Sequence, residues 1–159
     1  MSKFGKLIEG TPFVPFKVPL VSAKLDDEQD FDLKEILDAH PRIGLIINLV
    51  PRIVNTITCD GLKNVHVVRA VCKPKGDKFL YLRNLTERIT SGFRKSNPEK
   101  LIGVCCLTGC HYTAYVITYI LKRSCKLSAD DALSSFEDSR GELISDEIRN
   151  QLFKDVSYS

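Results

Sequence analysis

Residues 101–114, LIGVCCLTGCHYTA, constrain this chain more than any other segment. Leu101, Ile102, Gly103, Val104, Cys105 and Cys106 make an apolar run of strand length, and residues 113–125 read as an apolar helix. The turn between them is short and carries Gly109. A strand that enters a helix through such a turn aims backbone N–H groups and a helix N-terminus at one point, a geometry suited to an anion. The same turn holds Cys106, Cys110 and His111, side chains able to act as nucleophiles or ligands.

The rest of the sequence supplies a frame for that unit. Residues 43–50 form a nearly continuous apolar run, which suits a strand buried on both faces, and residues 65–70 read as another strand. Pro15 and Pro19 make residues 13–20 an edge segment, because proline cannot donate to a central ladder. A short helix is predicted over residues 31–39, its N-terminal end preceded by Asp26, Asp27, Glu28 and Asp30, which suit a helix dipole. Phe79, Leu82, Leu85, Ile89 and Phe93 share one face of a longer helix that Asn97-Pro98 ends. Further helices are predicted over residues 113–125, 128–139 and 145–155, with Ser128 and Ser145 as N-caps and Gly141 as a stop. Strands alternating with helices predict an α/β fold with a central, mostly parallel sheet of about four or five strands flanked by helices. In such sheets ligands bind beyond the carboxyl ends of the strands, where residues 106–113 fall.

The 159 residues suit one domain, spanning 1–159. A net charge of +3 is compatible with a phosphorylated ligand and well short of a nucleic-acid-binding surface. No apolar run reaches membrane-spanning length, no secretory leader is seen, and position 2 is Ser rather than the Gly of a myristoylation signal. The six cysteines are irregularly spaced and several lie in apolar runs, so no disulfide framework is expected. These features together predict a cytoplasmic or nuclear protein.

Several segments resemble one family. They are Gly10-Thr11-Pro12-Phe13-Val14-Pro15-Phe16-Lys17-Val18-Pro19-Leu20, Ile43-Gly44-Leu45-Ile46-Ile47-Asn48-Leu49, Asn64-Val65-His66-Val67-Val68-Arg69-Ala70, Lys100-Leu101-Ile102-Gly103-Val104 and Phe136-Glu137-Asp138-Ser139-Arg140-Gly141. In order and spacing they resemble metazoan RNA 5′-triphosphatases and the related baculovirus phosphatase, a branch of the dual-specificity (cysteine) phosphatase superfamily. The resemblance implies a cysteine-phosphatase fold. It also implies a phosphate loop over Cys106, Leu107, Thr108, Gly109, Cys110, His111 and Tyr112, with Thr113 as the hydroxyl residue that follows. Working loops read His-Cys-x-x-Gly-x-x-Arg-Ser/Thr: the Cys thiolate attacks phosphorus and the guanidinium clamps two phosphate oxygens. Here Cys106 holds the nucleophile position, Cys105 stands for the His and Tyr112 for the Arg. The family's tyrosine-bearing segment after its second strand corresponds to residues 50–56, which lack tyrosine, and its Glu-Arg-Gln-Asn-Tyr-like helix start is replaced by Ser145-Asp146-Glu147-Ile148-Arg149.

The reading that follows is a pseudophosphatase: a catalytically inactive, RNA 5′-triphosphatase-like protein acting as a protein-binding or scaffold module, with RNA 5′-end binding weak at most. The alternative is a divergent phosphatase that uses Cys106 as its nucleophile. Asp77 and Asp60 are the candidate general acids, against a plainer reading as surface carboxylates. Arg52, Arg69, Lys73 and Lys75 are candidates to replace the lost positive charge. Zinc held by Cys105, Cys106, Cys110 and His111 is disfavoured because adjacent strand residues point to opposite faces and no C-x₂-C pair exists. A redox pairing of Cys106 with Cys105 or Cys110 competes with the cysteines packing as small hydrophobes. His40 and His66 have no partner pattern and read as structural. No cofactor is expected.

Overall fold

The elements follow from the apolar runs. In the computed structural model they are β1 (Phe13–Lys17), α1 (Leu33–Ala39), β2 (Ile43–Asn48), β3 (His66–Arg69), α2 (Lys78–Ser96), β4 (Leu101–Cys106), α3 (Tyr112–Ser124), α4 (Ala129–Arg140) and α5 (Asp146–Val156). The structure describes residues 4–18, 33–50, 64–70, 78–106, 110–124 and 126–156. The four strands pair in the order β1-β4-β2-β3, every pair parallel. β1 lies at an edge, which suits its proline, Pro15. Beyond it, Phe4 makes a single antiparallel bridge to Phe16.

β2 and β4, the central strands, are buried throughout. Their alternating side chains feed two cores. Leu45, Ile47, Ile102, Val104 and Cys106 face one cluster, which α2, α3, α4 and α5 cover with Leu82, Tyr115, Phe136 and Ile148 among others. Ile43, Ile46, Leu101 and Cys105 face the other, closed by Ile36 of α1 and by Phe16. Gly103 lies under the Phe16 ring: a Cβ there would come within 2.7 Å of it, so the strand takes no side chain at that point.

The caps behave as the sequence predicts. Ser128 Oγ accepts from the Asp131 N–H (3.1 Å) and Ser145 Oγ from the Ile148 N–H (3.4 Å). Gly141 ends α4 in the left-handed region at φ +74°, its N–H donating to the Glu137 carbonyl. On α2 the structure buries Thr86 and Thr90 beside Leu82, two positions absent from the apolar face read in the sequence. Among the described residues no helix is long and apolar enough to cross a membrane.

Candidate active site

Every parallel strand delivers its last residues to the same edge of the sheet, where β4 ends at Cys106 and α3 begins at Tyr112. Asn48 closes β2 there: buried, it accepts from the Val50 N–H through Oδ1 (2.9 Å) and fixes the strand's exit. Leu107, Thr108 and Gly109 of the predicted loop lie outside the described residues, as do Asp60, Asp77, Arg52, Lys73 and Lys75. The structure therefore brings together Cys106, Cys110, His111, Tyr112 and Thr113, with Cys105 directly beneath.

Cys105 and Cys106 are buried and free, and they point to opposite faces of the sheet. Burial pushes the Cys105 thiol well above its ordinary range, with the neighbouring Cys106 adding to the shift and Arg69 opposing it. Cys105 is thus a neutral filler of the α1-side core, remote from any ligand above the loop. That separation also removes it from a shared zinc or disulfide arrangement with Cys106. Among the described residues no group of three His, Cys, Asp or Glu could hold a metal ion.

The Cys110 Sγ donates to Glu142 Oε2 at 2.9 Å. Burial, then that hydrogen bond, push the thiol up to about 12, against the pull of the Arg140 charge. Cys110 is a protonated thiol at neutral pH. Glu142 and Arg140 are contributions that the sequence reading did not assign to the site. The only signal for them was the Phe136–Gly141 motif, which ends at α4's cap and so returns the chain to the loop.

Tyr112 occupies the first position of α3, half-buried against the larger core. Its ring lies 5.6 Å from Phe79 and 4.6 Å from His111, centroid to centroid, so the rim of the site is aromatic. Phe79 also packs on Tyr115 at 4.6 Å. The Thr113 hydroxyl is fully buried and has no hydrogen-bond partner among the described residues. A buried network stands behind this layer. Arg83 Nη1 donates to the Tyr115 hydroxyl (3.1 Å) and pairs with Asp155 (3.5 Å), Tyr115 donates to Asp155, and the Arg83 guanidinium lies 4.1 Å above the Tyr119 ring. Burial, then the hydrogen bond to Asp155, hold the Tyr115 hydroxyl above its ordinary range. Arg83 is therefore committed to α3 and α5. The histidines elsewhere take structural places: His40 packs edge-on against Phe4 and burial disfavours its charged form, while His66 starts β3 in an exposed position.

A four-stranded parallel sheet between α1 and four helices, with a cysteine at the central strand's carboxyl end and a helix behind it, defines the class: an α/β domain of the cysteine-phosphatase type. No family model matches the chain. It is 32% identical over 161 residues to the RNA/RNP complex-1-interacting phosphatase homolog of Caenorhabditis elegans, covering 86% of this chain and 64% of the relative. Identity to the RNA/RNP complex-1-interacting phosphatase of Mus musculus is 30% over 156 residues, 88% of this chain and 46% of the relative. A tyrosine-protein phosphatase of Autographa californica nuclear polyhedrosis virus is 26% identical over 88% of this chain and 86% of its own length. The human DUSP28 crystal structure superposes with a TM-score of 0.67 at 15% identity, covering 100% of this chain and 97% of that one, which shows the shared fold. The chain is thus similar in sequence to RNA/RNP complex-1-interacting phosphatases and to the baculovirus phosphatase, and it shares the fold of the dual-specificity phosphatases. It spans 64% and 46% of the lengths of the two animal relatives.

Proposed function

We propose that this chain is a phosphatase-fold protein without phosphoryl-transfer activity that works as a protein-binding module. The observation that carries the reading is Tyr112, whose ring is docked against Phe79 at the start of α3, where the reaction needs a guanidinium. Two hydrogen bonds to a charged group contribute about 3–6 kcal/mol together, so their loss costs roughly 10²–10⁴ in phosphate binding or rate. The cost rises in the transition state, where the equatorial oxygens need a fixed positive partner. Tyrosine offers one neutral donor. Glu142 at the rim adds a negative charge that repels a phosphate dianion, and Cys110 holds its proton.

What remains is an aromatic rim of Tyr112, His111 and Phe79, side chains of the type that anchors protein interfaces. A protein partner would cover the rim at residues 107–113, or segments 52–56 and 73–78, in the cytoplasm or the nucleus. RNA 5′ ends would bind weakly, through loop amides alone. The test is phosphate release from triphosphorylated RNA, a phosphotyrosine peptide and p-nitrophenyl phosphate, each measured against Cys106→Ser. The expected result is no difference between the two proteins. Turnover that disappears in Cys106→Ser overturns the reading in favour of a divergent phosphatase.

A further inference from the structure

At the opposite end of the sheet, the last turns of α2 and α3 and the segment leading into β1 enclose a cavity of about 460 Å³. Its floor is apolar, formed by the core residues Phe13, Ile120 and Leu121. Its rim carries Thr90, Arg94 and Lys95, and none of the described residues lining it is acidic. Thr90 is 9% exposed, and its Oγ1 has no hydrogen-bond partner among the described residues. Helical threonines commonly satisfy that oxygen on the preceding turn, as Thr118 does with the Ala114 carbonyl at 2.6 Å. Thr90, like Thr86 and Thr113, leaves its hydroxyl without a partner among the described residues and sealed from solvent. Arg94 and Lys95 make no ion pair with any of the described residues.

We propose that this cavity is a second ligand site that takes a small amphipathic monocarboxylate. The apolar body would lie on Phe13, Ile120 and Leu121, and the carboxylate would accept hydrogen bonds from Arg94 and Lys95. The charge count favours a single negative charge. Helix C-termini carry about −0.5 each, so the ends of α2 and α3 offset roughly one of the two cations. A net charge near +1 matches a carboxylate better than a phosphate dianion. The volume lies within the range of small-molecule pockets, about 300–1,000 Å³. The site shares no residue with the phosphate loop, so it stands whether or not Cys106 is active.

Isothermal titration of the whole chain with octanoate, octan-1-ol and inorganic phosphate tests the assignment. Octanoate is expected to bind with one-to-one stoichiometry, octanol at least about tenfold more weakly, and phosphate not at all. Ser91 sits exposed on the cavity rim, so Ser91→Trp fills the mouth without entering the core and should abolish binding. Arg94→Ala/Lys95→Ala, also at exposed positions, should weaken binding roughly tenfold. Melting curves matching the parent establish that both variants are folded. The proposal is overturned by an absence of octanoate binding, by equal affinity in either variant, by octanol binding as tightly as octanoate, or by phosphate displacing octanoate.

Discussion

Cys105→His with Tyr112→Arg supplies the two side chains at which this loop departs from working phosphatase loops, and on the function proposed above at most weak transfer is expected. Cys105 is fully buried among Val14, Phe16, Ile36 and Ile46, in a core that has closed around a small thiol. A larger side chain there costs about 1–3 kcal/mol in overpacking, and an imidazole without partners costs about 1–3 more. The sum, roughly 2–6 kcal/mol, is a large share of a net stability of about 5–15. At about 2–4 °C per kcal/mol for a chain of this size, the melting temperature falls by roughly 4–24 °C. Tyr112→Arg forfeits the ring contact with Phe79, about 0.5–1.5 kcal/mol beyond its buried area, and gains a clamp of about 3–6 kcal/mol toward bound phosphate. That gain needs the loop's geometry to be intact, and catalytic groups act as a unit rather than additively. Glu142 still faces the loop at Cys110. Hydrolysis of p-nitrophenyl phosphate and thermal melts of the parent, both single variants and the double variant, each with a Cys106→Ser counterpart, measure these effects. A double variant that melts with the parent and turns over at the ~1–10³ s⁻¹ of working enzymes would refute the reasoning.

Three further outcomes follow from particular contacts. The Cys110 thiol is pushed up to about 12 from 9.0, so above pH 9 the folded state keeps a proton that the unfolded state loses. Stability from this group is complete below pH 9 and is lost as pH rises through about 12. Glu142→Ala removes the second largest cause, the hydrogen bond, together with the carboxylate charge, so iodoacetamide should label Cys110 faster at pH 9 by mass spectrometry; an unchanged rate contradicts the assignment. Asp155→Asn leaves the largely buried Arg83 without its counter-charge and should cost about 1–3 kcal/mol, a melting shift of roughly 2–12 °C that calorimetry would read. Gly141→Ala forces a Cβ into φ +74° and should cost about 1–2 kcal/mol in urea unfolding, with no loss of side-chain contacts to explain it.

Which parts were legible in the sequence follows from the range of the forces involved. The strands, the caps at Ser128, Ser145 and Gly141, and the edge position of β1 are set by local pattern and backbone chemistry, and all were readable. The opposite orientation of Cys105 and Cys106 followed from the period of a strand. The pairs that give the site its character were not readable: Cys110 with Glu142, Tyr112 with Phe79, and Arg83 with Asp155 join residues remote in sequence, and no periodicity marks them. Thr86 and Thr90 escaped the apolar face of α2 because hydropathy counts their hydroxyls and overlooks the methyl groups that pack.

The separation of the two cores makes the fold independent of the residue at position 112. The sheet is held by Ile, Leu and Val side chains on β2 and β4, and α3 by Tyr115, Val116 and Ile117, none of which the reaction requires. Arg83 balances Asp155 and Tyr115 between α2, α3 and α5. On the function proposed above, tyrosine at position 112 leaves this frame fastened and adds a ring contact with Phe79, a gain for folding that phosphoryl transfer would not share.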